Sequence, residues 1–130
     1  MIMKTLFASF CLLFSSLFSC QQKGEGFESL SVSDFANVIN DPEVQRLDVR
    51  TVAEYSEGHI PGSMNVNVLD DSFAAVADSV LQSSRPVALY CRSGKRSKKA
   101  ARILVGKGFK VYELSTGFNG WVEAGGKVEK

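Results

Sequence analysis

The sequence predicts an α/β fold in which an open parallel sheet carries helices on both faces. Segments with strand patterns and segments with helix patterns alternate from about residue 27 onward, an order typical of parallel sheets. Residues 87–90 (Val-Ala-Leu-Tyr) are a continuous apolar run, which indicates a strand buried on both faces. The length of 130 residues, 45% of them hydrophobic, suits one compact domain.

Five segments have the composition and bounds of strands. They are residues 27–30, 44–49, 64–68, 87–90 and 110–114. Turn signals precede three of them, namely Asp41-Pro42, Pro61-Gly62 and residues 84–86. These breaks mark where a helix or loop ends and the next strand begins.

Five further segments fit helices. They are residues 32–39, 51–57, a stretch from Asp70 or Asp71 to Leu81, 97–107 and 118–124. Ser31 followed by Asp34 resembles a capping box at the start of the first helix. The third helix has one apolar face, which we expect to be buried. That face consists of Phe73, Val76, Ala77, Val80 and Leu81.

The charges are unevenly distributed although their sum is small. The formal net charge of +1 argues against nucleic acid as a partner and against membrane binding by charge alone. Residues 79–112 contain no acid and nine cations: Arg85, Arg92, Lys95, Arg96, Lys98, Lys99, Arg102, Lys107 and Lys110. Such a run is usually a solvated helix face, as we expect for Lys98, Lys99 and Arg102. Because Cys91 lies inside the run, a chemical role for the nearest cations is the alternative.

The first twenty residues have the composition of an export signal. Lys4 precedes a largely apolar stretch over residues 6–18, which is shorter than the roughly 20 residues of a spanning helix and fits a secretory signal. Residues 17–20 (Leu-Phe-Ser-Cys) resemble the lipobox of bacterial lipoproteins, in which a peptidase cuts before a lipid-bearing cysteine. We therefore expect a signal peptide over residues 1–19, a tether over 20–26 anchored by lipid on Cys20, and a folded domain over 27–130. An ordinary signal peptide cut elsewhere and an uncleaved anchor are the alternatives.

Export also limits what the three cysteines can do. The protein would be held at the cell envelope, on the periplasmic side or at the outer membrane. Cys11 would leave with the signal peptide and Cys20 would carry lipid, so Cys91 would be a lone free thiol in an oxidising compartment. Serine or alanine would be safer there in a structural position, so the lone thiol indicates a chemical role.

The loop after the strand at residues 87–90 is the candidate site. Cys91 is the first residue of this loop, and ligands of parallel sheets bind at the carboxyl ends of strands. A short loop with a central glycine can turn successive amides toward one anion, and the following helix adds its dipole. These features and the nearby cations favour thiolate. We expect Cys91 to be catalytic; the residues expected to bind substrate are Arg92, Ser93, Gly94, Lys95, Arg96 and Ser97. A buried structural cysteine is the alternative.

Three stretches together resemble one known family. Residues 91–97 (Cys-Arg-Ser-Gly-Lys-Arg-Ser) look like the active-site loop of the rhodanese (thiosulfate sulfurtransferase) family. Residues 47–65 are similar to its amino-terminal signature and residues 114–121 to its carboxy-terminal one, with Thr116 where glycine is more usual. The resemblance spans residues 27–125. It implies a five-stranded parallel sheet and a single catalytic cysteine, without a metal or an organic cofactor.

The loop length distinguishes the chain from phosphatases of the same fold. Those enzymes separate cysteine and arginine by five residues, whereas four residues lie between Cys91 and Arg96, and Ser97 stands where that arginine would be. The tighter loop suits a sulfur-centred substrate.

The resemblance also implies a supporting group of polar side chains. It places Asp48 and Arg50 at a strand end near the loop, where we expect them, with Glu54, to form an ion pair that braces Arg96; surface charges are the alternative. His59 is the only histidine and could act as a general base for Cys91. In the family, however, its position belongs to a structural segment.

The expected reaction is sulfur transfer in two steps through a persulfide on Cys91. The donor would be thiosulfate or a similar small anion, and the acceptor a thiol or a dithiol protein. We expect a monomer. A persulfide-relay or thiol redox partner of another protein, and a non-catalytic binding module, are the alternatives.

Overall fold

Strands and helices alternate along residues 25–130, the part of the chain that the computed structural model describes. The strands are β1 (Glu28–Leu30), β2 (Gln45–Asp48), β3 (Met64–Asn65), β4 (Val87–Tyr90) and β5 (Val111–Leu114). The helices are α1 (Val32–Ile39), α2 (Val52–Glu57), α3 (Phe73–Val80), α4 (Arg96–Gly106) and α5 (Gly117–Glu123). Each predicted element is therefore present.

The predicted signal peptide, Cys20 and most of the predicted tether lie outside the described residues. Within residues 25–130, no helix is long and apolar enough to cross a membrane.

The five strands form one parallel sheet in the order β1-β5-β4-β2-β3. β4 occupies the centre, and all four of its residues are inaccessible to solvent, which is why its sequence is apolar throughout. The predicted fold class is confirmed. The carboxyl end of β4 is the position that the sheet gives to Cys91.

Helices cover both faces of the sheet, so alternate residues of each strand enter different cores. One core contains Val87 and Leu89 with side chains of α3 and α4. The other contains Ala88 and Tyr90 with side chains of α1 and α5. This alternation is the one expected of a strand buried on both faces.

Two predicted details are wrong. On α3, Val76 and Val80 are 41% and 45% exposed. Only part of the apolar face of this helix contacts the core, so these two residues remain at its edge. β3 ends at Asn65 rather than at Val68. Val66 still donates to the Asp48 carbonyl. Beyond it the register is lost, because the Asn65 side-chain amide donates to the Arg50 carbonyl and Val68 donates to Val49 instead.

The first two helices begin with side chains that accept hydrogen bonds from otherwise unpaired backbone amides. At α1, the Ser31 hydroxyl accepts from the Asp34 amide at 3.2 Å. At α2, a complete capping box forms between Thr51 and Glu54. That box fixes the position of the Glu54 carboxylate, which also faces the loop after β4.

Candidate active site

Cys91 is almost completely buried at the carboxyl end of the central strand. Its side chain is 1% exposed, and it is a free thiol. The Gly94 amide donates to Sγ at 3.1 Å, and the Ser97 hydroxyl lies 3.4 Å from Sγ. The loop therefore wraps around the sulfur and directs donors at it.

The pKa of the Cys91 thiol lies below its ordinary value. Burial raises this pKa, but hydrogen bonding with the Ser97 hydroxyl and with the amides of Ser97, Gly94 and Ser93 outweighs that effect. The cause is the stabilisation of thiolate by donors. The surroundings of Cys91 thus suit a nucleophile better than an inert core cysteine.

Two glycines allow the loop to pack directly on the turn before α5. Gly94 has φ +100°, and a side chain there would collide with the Ser115 carbonyl. Gly117 has φ +66°, and a side chain there would collide with the Arg92 backbone. The first amides of α5 bind the loop as well: Phe118 donates to the Cys91 carbonyl at 2.8 Å. The loop after β4 and the start of α5 are therefore packed and hydrogen-bonded together beside Sγ.

Arg96 is held by Glu54 and is not a free cation. Its guanidinium donates to both carboxylate oxygens of Glu54, each at 2.9 Å. Hydrogen bonding from Arg96 is the main cause that lowers the pKa of Glu54 from 4.5 to about 2. Because the pKa falls on folding, the pair's contribution to stability is complete above pH 4.5 and is lost as pH falls through about 2.

Asp48 and Arg50 bind each other rather than Arg96. The Arg50 guanidinium donates to the Asp48 carboxylate at 2.6 Å, and both side chains are buried, so they are not surface charges. Arg50 also donates to the Gly58 carbonyl at 2.7 Å and stacks over the Phe118 ring. The expected brace is therefore divided: Glu54 holds Arg96, while Asp48 and Arg50 join β2 to the segment before β3.

His59 does not pair with Cys91 in the structure. Its Nδ1 lies 2.9 Å from the Tyr55 carbonyl and its Nε2 lies 3.3 Å from a carboxylate oxygen of Glu129. The ring also stacks on Tyr55. His59 joins α2 to the end of the chain, and its nitrogens are occupied there.

The cations of the basic run fall into different groups. Arg92 and Lys95 are exposed at the loop, and Arg92 lies 3.9 Å from Glu54. Lys98 was expected on a solvated face, but its ammonium donates to the Gly94 carbonyl at 3.0 Å and to Glu113 at 3.1 Å. The expectation for Lys98 is wrong because one helical turn returns its side chain to the loop.

Within residues 25–130, no group of three or more His, Cys, Asp or Glu side chains is placed to hold a metal ion. The site is instead a buried thiol under amides, with exposed cations at its rim. Comparison with protein families gives a match to the rhodanese-like domain over residues 31–124. The chain belongs to the rhodanese-like family.

Sulfurtransferases are among the relatives of this rhodanese-like domain. A thiosulfate sulfurtransferase of Shewanella oneidensis is 35% identical over 100 residues, covering 75% of this chain and 95% of the relative. A thiosulfate:glutathione sulfurtransferase of Saccharomyces cerevisiae is 32% identical over 112 residues, covering 76% and 81%. The family and these relatives support sulfurtransferase activity in general.

Solved structures agree with the fold. The rhodanese-like domain of an Anabaena protein, solved by NMR, superimposes with a TM-score of 0.69 at 29% identity, covering 78% of this chain and 77% of the other. A Saccharomyces cerevisiae protein solved at atomic resolution gives 0.68 at 28% identity, covering 76% and 93%.

Thr116 alters the rhodanese-like domain locally. Its hydroxyl and Cβ occupy the space into which a side chain at Gly120 would project. Gly120 lies inside α5, where alanine is ordinarily the better helix former. The glycine there is explained by the threonine one turn earlier.

Glu113 is a residue of this site that the sequence analysis missed. It lies on β5, is completely buried, and accepts a hydrogen bond from the Ser97 hydroxyl at 2.6 Å. An acidic residue inside a buried strand was the available signal, because such a group must be paired.

Proposed function

We propose that the protein is a thiosulfate-type sulfurtransferase that carries sulfane sulfur as a persulfide on Cys91. The observation that supports this most directly is the buried Cys91 Sγ, held at 3.1 Å by the Gly94 amide inside a cation-rimmed loop. In the first step, the thiolate attacks the outer sulfur of thiosulfate. The sulfur–sulfur bond of the donor breaks, and its electron pair leaves with sulfite.

In the second step, an acceptor thiolate attacks the outer sulfur of the persulfide. The bond to Cys91 Sγ breaks, and the thiolate of Cys91 is restored. Splitting the transfer in this way is nucleophilic catalysis with ping-pong kinetics. A small thiol is supported as acceptor by the yeast relative, whose name specifies glutathione; a dithiol protein would use the same chemistry.

The loop amides would stabilise the charge that develops on sulfur in both steps. Amides fixed by packing require no reorganisation during the reaction, which makes them efficient electrostatic catalysts. The mass of the purified protein after incubation with thiosulfate tests the proposal directly. We expect a gain of one sulfur atom that cyanide removes; a protein that never gains it would contradict the proposed function.

Arg92 and Lys95 are expected to attract the donor anion. Replacing both with alanine should raise the KM for thiosulfate about tenfold, equivalent to roughly 1.4 kcal/mol, and change kcat less because Cys91 and the amides stay in place. Higher ionic strength should weaken the wild type more than the variant, since exposed charges are screened. Steady-state kinetics at two salt concentrations measures both effects.

The matched control for this pair is Lys99→Ala with Arg102→Ala. Both side chains lie on α4; Lys99 is exposed, and Arg102 is paired with Glu25 at 3.1 Å. The control should leave KM nearly unchanged. If the loop variant also keeps the wild-type KM, backbone amides alone bind the donor and the basic rim is ordinary surface.

We further propose that lipid on Cys20 anchors the protein at the cell envelope. Cys20→Ala should release the protein from membranes without changing its turnover, because the tether separates the anchor from the domain. A lipoprotein cysteine carries several acyl chains, which hold more stably than one. Membrane fractionation after a salt wash measures the effect; a variant that still pellets would show that the apolar segment itself is the anchor.

A further inference from the structure

A buried carboxylate lies behind the candidate nucleophile and is not used by the steps above. Glu113 is completely inaccessible to solvent. One carboxylate oxygen accepts from the Ser29 hydroxyl at 2.5 Å, and the other accepts from the Ser97 hydroxyl at 2.6 Å and from Lys98 at 3.1 Å. Three elements (β1, β5 and α4) therefore meet at one charged group.

The direction of these hydrogen bonds follows from the number of protons available. An ionised carboxylate only accepts, so the single proton of the Ser97 hydroxyl is donated to Glu113. The Ser97 oxygen is then left to accept from the Cys91 thiol, 3.4 Å away. Thiol, hydroxyl and carboxylate thus form a continuous hydrogen-bonded path through groups that solvent does not reach directly.

We propose that Glu113 is a positioning residue that takes the proton of the Cys91 thiol through the Ser97 hydroxyl. The inference rests on the proposed function, for which it supplies the missing proton acceptor. Before the sulfur attacks its donor, the S–H bond of Cys91 breaks and its proton moves to the Ser97 oxygen. The original Ser97 proton moves to Glu113, and the electron pair of the S–H bond remains on sulfur.

After the shift, the Ser97 hydroxyl donates to the thiolate and the protonated Glu113 donates to Ser97. No proton has entered or left the protein. When the acceptor thiol later regenerates Cys91, the two protons return by the same route in reverse. Lys98 is 42% exposed and connects Glu113 to solvent, so the path can also exchange its proton with water.

Other charged groups face this path from the neighbouring elements. On α4, Lys98 contacts Glu113, and the charge of Arg96 interacts with Cys91. Two cations near the path are already paired. Arg50 is paired with Asp48 of β2, and Arg96 is paired with Glu54 of α2. The charge of Arg96 and the loop amides favour thiolate, and attack on the donor consumes the thiolate as it forms.

The variant Glu113→Gln distinguishes a proton relay from a purely electrostatic or structural role of Glu113. Glutamine can still accept a hydrogen bond from Ser97 but cannot take a proton. The readout is the rate at which iodoacetamide alkylates Cys91, followed on the Cys91 peptide by mass spectrometry from pH 5 to above the pKa of the thiol. Alkylation needs no sulfur donor, so it reports on the relay even if the protein proves not to use thiosulfate.

With the relay, the variant should react at least about tenfold more slowly than wild type below the pKa of the thiol. Its rate should fall about tenfold for each further pH unit, because only pre-formed thiolate reacts. Above that pKa, the two proteins should react alike. Ser97→Ala should reproduce the defect, and the double variant should add little to it.

Two other outcomes would overturn the proposal. A variant that reacts faster at low pH would show that Glu113 acts only as a negative charge that disfavours thiolate. An equal reduction of the alkylation rate at every pH would show that Glu113 only holds the neighbouring elements together. Glu25→Gln is the matched control, since Glu25 also pairs with a cation of α4, Arg102, but is exposed; its profile should follow wild type.

Discussion

Replacing Cys91 with serine is expected to abolish sulfur transfer and leave the fold intact. Serine is nearly isosteric, so the Gly94 amide and the packing at the end of β4 are retained. The hydroxyl cannot form a persulfide, and removal of a nucleophile typically costs several powers of ten in rate. Cyanolysis of thiosulfate measures the loss.

The thermal unfolding midpoint of the same variant serves as its control and should stay close to that of the wild type. Retention of more than about a tenth of the activity would contradict a covalent role for Cys91, because several powers of ten are expected. Persulfide-relay or redox activity toward another protein would appear differently. In that case wild-type turnover of thiosulfate would be far below turnover with a protein persulfide.

Gly94→Ala is expected to produce the second-largest loss. Gly94 combines φ +100° with a direct approach to the Ser115 carbonyl, so an added methyl group must push the loop away from the turn before α5. The Gly94 amide would then leave Sγ. Loss of one preorganised donor typically costs about 100-fold to 1000-fold in kcat, and kcat in the cyanolysis assay is the measurement.

Gly108→Ala isolates the contribution of backbone strain. Gly108 has φ +96° but no atom within 4 Å of the position of an added Cβ. Both variants carry the cost of a left-handed conformation, roughly 1–2 kcal/mol, whereas only Gly94→Ala also collides with a neighbour. Equal activities in the two variants would mean that the contact between the loop and α5 does not position the amide.

The sheet and the position of Cys91 could be predicted because local patterns determine them. The run at residues 87–90 is apolar at every position, and this requires burial on both faces wherever the strand lies. The α3 face was less predictable. Its periodicity shows which residues share a side, but the width of the buried stripe depends on the neighbours, so Val76 and Val80 remain exposed.

The polar contacts behind the loop could not be derived from the sequence. Ser97 and Glu113 are 16 residues apart, and they meet because β4 pairs with β5 and α4 packs against β5. Lys98 looks like its neighbours in a basic run, yet its side chain reaches both Gly94 and Glu113. Which member of a charge cluster finds a buried partner depends on tertiary packing, which local charge patterns do not encode.

Thr116 and Gly120 constrain the substitutions that this chain can accept. A side chain at Gly120 would occupy the space that the Thr116 side chain fills. Because Cβ of Thr116 is itself one of the colliding atoms, serine or alanine at position 116 would obstruct position 120 as well. Alanine at position 120 therefore requires glycine at position 116, and any redesign of this turn must change the two positions together.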